Sequence, residues 1–128
     1  MKLVDTVAIV GGLNPKDKAH KRCMEQIRRV TRDNDVFVPS VSLVEADLVM
    51  KIRGYDYSER EISWRALEDR IPSSKIIANS VSSIHSALEL QEQGMDYFDS
   101  LITSIALETN SIVITTDRAI ERFVKTEW

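Results

Sequence analysis

The sequence predicts an α/β domain, a three-layer sandwich with a central, mostly parallel sheet of four to five strands and helices on both faces. Three observations lead there. Short apolar runs at residues 2–9, 36–38, 75–78 and 112–115 alternate with longer segments of helical period, the pattern of parallel strands joined by right-handed crossovers. The first run has no polar face, as expected of a central strand covered on both sides. The chain has 128 residues, 43% of them hydrophobic and 29% charged, enough for one core in a single domain spanning 1–128.

Each element has a local reason. Residues 2–9 read as the first strand. Asn14-Pro15 then reads as an N-cap and N1 proline, opening a helix to about Arg32. Val36-Phe37-Val38 is a short strand, and Ser40 or Ser42 caps the next helix, which ends near Gly54. Ser58-x-x-Glu61 has the form of a capping box ahead of a helix that Pro72 closes off. Lys75 to Ala78 forms a third strand, followed by a helix from about Ser80 to Gln93 that stops at Gly94. A helix from about Tyr97 to Thr109, a strand at 112–115 and a last helix from about Asp117 complete the chain. There is no repeat, low-complexity stretch or long linker to divide it.

Composition excludes several classes. The lone Cys23 forms no internal disulfide and points to a reducing, cytoplasmic setting. No uncharged apolar run reaches the ~18 residues of a membrane span. The apolar start is broken by Asp5 and lacks a small-residue cleavage site, so no signal peptide is expected. Net charge is −3, but residues 14–33 carry seven Lys/Arg against three acids and are +4, leaving the remainder at −7. That basic segment reads either as a solvated helix face or as a phosphate-contact surface.

Four acids occupy positions where a charge is costly. Asp5 interrupts the first strand. Glu45 lies in the opening turns of a helix, on a stripe with Val41, Leu48 and Ile52. Asp99 shares a helix face with Met95, Ile102 and Ala106, and Asp117 follows the last strand. A carboxylate facing a core must be paired or bound to a cation. In open parallel sheets, ligands bind beyond the carboxyl ends of the strands, where this layout brings Asp5, Glu45 and Asp117, with Asp99 joining if its helix starts there. Two carboxylates ~6 Å apart repel by roughly 3 kcal/mol at an effective dielectric of about 20. A cluster of that kind needs a cation, bound protons or basic neighbours. All-oxygen ligands suit Mg²⁺ or Mn²⁺, and attack on phosphate is the chemistry such sites most often serve.

Blander roles compete at two of the four. Asp99 stands three residues after Asp96 and can complete a capping arrangement, and Asp117 can simply cap the last helix. Asp5 and Glu45 have no capping role in mid-strand or mid-helix. Asp47 and Lys51 read as a plain i,i+4 surface pair. His20-x-x-Cys23 lacks further spaced ligands for zinc, and His85 reads as packing or surface.

Val4-Asp5-Thr6, Ser42-Leu43-Val44-Glu45, Tyr97-Phe98-Asp99-Ser100-Leu101-Ile102 and Ile114-Thr115-Thr116-Asp117-Arg118 together resemble the PIN-domain nucleases, within which the chain is most similar to VapC-like toxin ribonucleases. The similarity runs from about Lys2 to Phe123, and the segment from Ala87 to Asp117 is its most specific part. The resemblance implies a PIN-like sandwich in which Asp5, Glu45, Asp99 and Asp117 hold Mg²⁺ or Mn²⁺ and Thr115 orders the site. It implies hydrolysis of RNA, a small antitoxin partner whose tail blocks the acidic groove, and a homodimer. One departure stands out: Val7 replaces a polar residue common in the family two positions after the first acid. If residues 2–9 are a strand, Val7 shares the face of Asp5 and removes a supporting hydrogen bond.

Lys18, Lys21, Arg22 and Arg118 are the candidate RNA-phosphate contacts on charge alone. Tyr55, Tyr57 and Trp64 are candidate contacts to a partner protein, or packed residues of the monomer. Two other classes compete with a nuclease. A PIN-like module that binds RNA or protein without cutting is distinguished by the absence of metal-dependent turnover. A phosphoacceptor receiver domain would need a lysine at the end of a late strand, where this chain has Thr115-Thr116-Asp117.

Overall fold

The computed structural model describes residues 1–128. Five short strands form its centre: Lys2–Val4 (β1), Val36–Pro39 (β2), Ile76–Ile77 (β3), Ile112–Ile114 (β4) and Thr126–Glu127 (β5). Their order is β3-β2-β1-β4-β5 and every neighbouring pair is parallel. Leu3 sits opposite Phe37 on one side and Val113 on the other. Successive side chains of a strand point to opposite faces, so Leu3 and Val4, both fully buried, serve two cores. Val4 packs with Ile9, Ile27, Val38 and Ile114, and Leu3 packs with Ile102, Ile105, Val113 and Ile120. Each such side chain contributes about 1.5–3 kcal/mol by leaving water. The predicted three-layer α/β architecture is thus present.

Seven helices cover the sheet: Thr6–Leu13 (α1), His20–Arg32 (α2), Ser40–Ile52 (α3), Tyr57–Glu68 (α4), Val81–Glu92 (α5), Tyr97–Thr109 (α6) and Arg118–Glu121 (α7). The chain departs from the sequence reading most at its start. The predicted strand 2–9 ends at Val4, and the β-branched run after Asp5 is helix α1. Tertiary contact overrides the strand propensity of Val7, Ile9 and Val10 here. A Cβ on Gly11 would lie 2.4 Å from Cys23 Sγ, and one on Gly12 would lie 2.3 Å from Ile27 Cδ1. Glycine at both positions lets α1 lie this close to α2 without displacing these side chains.

Other differences follow from capping. Asn14 ends α1 instead of opening the next helix, which starts six residues later at His20. The capping box of α4 is Asp56 with Glu59, both reciprocal hydrogen bonds being made, not Ser58 with Glu61. Ser40 is the first residue of α3, but neither it nor Ser42 makes a capping bond. Asp47 does not pair with Lys51: it accepts from Arg60 Nε at 3.1 Å and Nη2 at 2.6 Å, and from Trp64 Nε1 at 2.8 Å. This pins α4 to α3. Trp64 also packs against the core, whereas Tyr57 is exposed. Strand β5 had no sequence signal; Glu127 anchors it through Lys2 and Arg29. No helix is long and apolar enough to cross a membrane.

Candidate metal centre

The carboxyl ends of β1 and β4 open into a cleft of about 660 Å³. Asp5 follows β1 directly and is the N-cap of α1, its Oδ1 accepting from Thr6 N–H at 2.7 Å. The sequence reading placed it in mid-strand without a capping role; it has one. Its other oxygen, Oδ2, accepts from the Thr115 hydroxyl at 2.6 Å, and Thr115 Oγ1 in turn accepts from Asp117 N–H at 2.9 Å. Thr115 therefore ties the ends of β1 and β4 together and fixes the Asp5 carboxylate.

Glu45 projects from α3 and Asp99 from the first turn of α6. One carboxylate oxygen from each of Asp5, Glu45 and Asp99 lies within 4.8 Å of the other two. Asp99 makes no capping bond, and Asp96, the N-cap of α6, makes no side-chain cap bond either, so no capping box forms here. Asp117 does cap α7, accepting from Ala119 N–H at 2.8 Å. It lines the same cleft but stands outside the close trio, next to Asp99. The stripe that carried Glu45 is not a core stripe: Leu48 and Ile52 are exposed.

The electrostatics record the crowding. Burial pushes Asp5 up to about 6, against the lowering effect of its bonds from Thr115 and Thr6, and repulsion from Glu45 and Asp117 adds to the rise. Burial also leads the rise of Asp99 to about 7, followed by repulsion from Asp117 and Asp5. Glu45 is raised by burial and by Asp117 and Asp96. The Thr6 hydroxyl lies close enough to lower the Glu45 pKa, yet it is buried and makes no hydrogen bond of normal geometry. Helices α1 and α6 direct their N-terminal ends at the trio, and their dipoles offset part of the repulsion. Three oxygens this close, those of Asp5 held by Thr6 and Thr115 and none with a basic partner, match the all-oxygen donor set of a divalent cation.

Other predicted contacts fall elsewhere. Lys18, Lys21, Arg22 and Arg118 are exposed and none lines the cleft. Arg22 donates to the Trp128 carbonyl oxygen. Val7 is in the first turn of α1, half-exposed and lining the cleft, so it is no strand neighbour of Asp5. The sequence reading missed Asp17, Asp96, Tyr97 and Arg53, all of which line the cleft. Arg53 had a signal: it lies eight residues after Glu45 on the same helix line, through Val49. His20 Nδ1 contacts Gly11 O at 3.0 Å and Cys23 is buried beneath α1, so neither faces the acids. His85 is exposed.

The sequence profile of the PIN domain matches residues 2–125. No curated protein sequence matches the chain. Among solved structures, a chain of VapBC2 from Rickettsia felis, bound to a DNA fragment from their promoter, superposes with a TM-score of 0.72 at 18% identity, covering 99% of this chain and 98% of that one. A chain of FitAcB from Neisseria gonorrhoeae gives 0.71 at 18% identity, covering 98% and 96%. A chain of FitAB bound to the IR36 DNA fragment gives 0.71 at 17%, covering 99% and 94%. At these identities the likeness speaks to the fold.

Proposed function

Because the chain belongs to the PIN domain family, we propose that it is a Mg²⁺- or Mn²⁺-dependent endoribonuclease, the VapC-like toxin of a type II toxin–antitoxin pair. One observation carries this reading: oxygens of Asp5, Glu45 and Asp99 converge within 4.8 Å in an open cleft. These three side chains would hold the cation, with Asp117 beside them. When bound, the cation supplies positive charge at the scissile phosphate and lowers the pKa of water.

The chain's own groups do the rest. The Thr115 hydroxyl and Thr6 N–H hold both oxygens of Asp5, so its orientation is set before substrate arrives. Glu45, on the α3 wall, accepts the proton of the attacking water. That water adds to phosphorus in line with the 3′ oxygen, the P–O3′ bond breaks, and the 3′ oxygen leaves as a hydroxyl after taking a proton from solvent. A 5′-phosphate and a 3′-hydroxyl result.

Partner proteins are supported by apolar side chains left in water. Val44 and Leu48 on α3, and Val81, Ile84 and Leu88 on α5, are exposed, each set spaced to lie along one helix face. They are the surfaces for an antitoxin and a second copy of this chain. The deciding experiment is cleavage of RNA by the purified protein with Mn²⁺, Mg²⁺ or EDTA, and identification of the product ends. Cleavage that persists in EDTA, or that leaves 2′,3′-cyclic phosphate, would falsify the proposed chemistry. A protein that binds RNA without metal-dependent turnover would instead be a non-cleaving PIN module, a reading to which the apolar Val7 at the cleft lends support.

A further inference from the structure

Six carboxylates line the cleft: Asp5, Asp17, Glu45, Asp96, Asp99 and Asp117. A polyanionic strand entering it meets repulsion that one or two cations at the trio relieve only locally. Arg53 is the one basic side chain on the same lining. It closes α3, and Glu45, Val49 and Arg53 succeed one another at i,i+4 spacing along the cleft. Eight residues at 1.5 Å each put Arg53 roughly 12 Å along the axis from Glu45, too far for the reacting phosphate but suited to a neighbouring one. Arg29, Arg32, Arg60 and Arg65 are each committed to a carboxylate; Arg53 pairs with none. A helix C-terminus favours a cation at this position, but it does not account for a guanidinium left unpaired in a cleft of acids.

Tyr97 is on the same lining, as the first residue of α6, two before Asp99. Tyr97 is 60% exposed, and its ring packs edge-to-face with that of Phe98 at 5.5 Å and 83°. Phe98 steadies the ring and leaves much of it open to solvent, the form of a stacking platform for a nucleic-acid base.

We propose that Arg53 and Tyr97 are substrate-positioning residues that hold one RNA strand across the metal centre, Arg53 by a phosphate flanking the scissile one and Tyr97 by stacking on a base. This rests on the ribonuclease reading for its substrate, and the two are tested separately. The probe is a fluorescein-labelled single-stranded RNA of mixed sequence, followed by steady-state cleavage in Mn²⁺ and by anisotropy in an Asp99→Asn background. Arg53→Gln raises KM about tenfold with kcat within about threefold, and lowers the slope of log affinity against log salt by about 0.7. Arg53→Lys recovers most of both. Tyr97→Ala raises KM at least about fivefold with the salt slope unchanged, and Tyr97→Phe recovers it. Both side chains are exposed, and unchanged melting temperatures confirm folded variants. Wild-type KM and salt slope in Arg53→Gln and Tyr97→Ala overturn the inference and leave the nuclease reading standing. RNA binding that depends on both residues, without cleavage by the wild type, upholds the inference and removes the nuclease reading. No RNA binding by any form overturns both.

Discussion

Replacing Asp99 by Asn separates a cation site from a structural cluster. The substitution keeps the side chain's size, removes one charge and deletes one of three converging oxygens. At 4.8 Å and an effective dielectric of about 20, a fully ionised pair repels by about 3–4 kcal/mol. Asp99 is only half-buried, so solvent screening reduces the released repulsion to about 1–2 kcal/mol. Loss of a negative charge near the α6 N-terminus returns about 0.3–1 kcal/mol of that. The metal-free variant is therefore more stable than wild type by about 0.5–1.5 kcal/mol at pH 8, where Asp99, raised to about 7, is ionised. At pH 3, below the ordinary aspartate value, Asp99 is protonated in the folded and the unfolded chain alike, so the difference vanishes. Urea denaturation in EDTA at both pH values measures this, beside a cleavage assay in Mn²⁺ in which activity falls at least about a hundredfold. A variant destabilised at pH 8 that still cuts near the wild-type rate refutes the reasoning.

Three further outcomes are expected. Mn²⁺ at about 100 times its dissociation constant adds about 2.7 kcal/mol to the folded state, a rise in Tm on the order of 10 °C at fixed ionic strength; overlaid melting curves contradict it. Folded Asp5 and Asp99 have pKa values raised to about 6 and about 7, so between about pH 4 and pH 7 the folded chain binds protons that the unfolded chain has released. Metal-free stability is then fullest near pH 4 and is lost as pH rises through 6 and 7, and a curve that climbs over this window is the contrary result. Thr115→Val removes the donor to Asp5 and the acceptor for Asp117 N–H, so Mn²⁺ affinity by calorimetry falls about 10–100-fold. Thr115→Ser keeps most of it, and equal affinity in the Val variant argues against an orienting role.

Asp5, Asp99 and Asp117 are legible because a carboxylate beside an apolar run demands an explanation that residue type alone can pose; Glu45 stands out on a stripe whose Leu48 and Ile52 are in fact exposed. The element around Asp5 is not legible. Val7, Ala8, Ile9 and Val10 read as strand by side-chain type, whereas the Asp5 cap and close packing on α2, at Gly11 and Gly12 against Cys23 and Ile27, hold them as helix. Asp5 thus acts as both an N-cap and a member of the acidic trio. Helix α6 was found nearly to the residue because Gly94 and the Asp96 to Asp99 segment punctuate its start. Strand β5 was invisible: two residues hold no period, and Glu127 is anchored by Lys2 and Arg29 from the other side of the chain. Density of charge points to the basic segment 14–33 and to Arg118, whereas the cleft is lined by the isolated Arg53, which lies at i+8 from Glu45.

Anomalous diffraction at the manganese edge, from crystals grown with millimolar Mn²⁺, tests most directly whether the acids converge to hold a cation. The account predicts a peak in contact with Asp5, Glu45 and Asp99 that disappears in the Asp99→Asn protein. Manganese bound only elsewhere on the surface, with the cleft free of anomalous density, would contradict it.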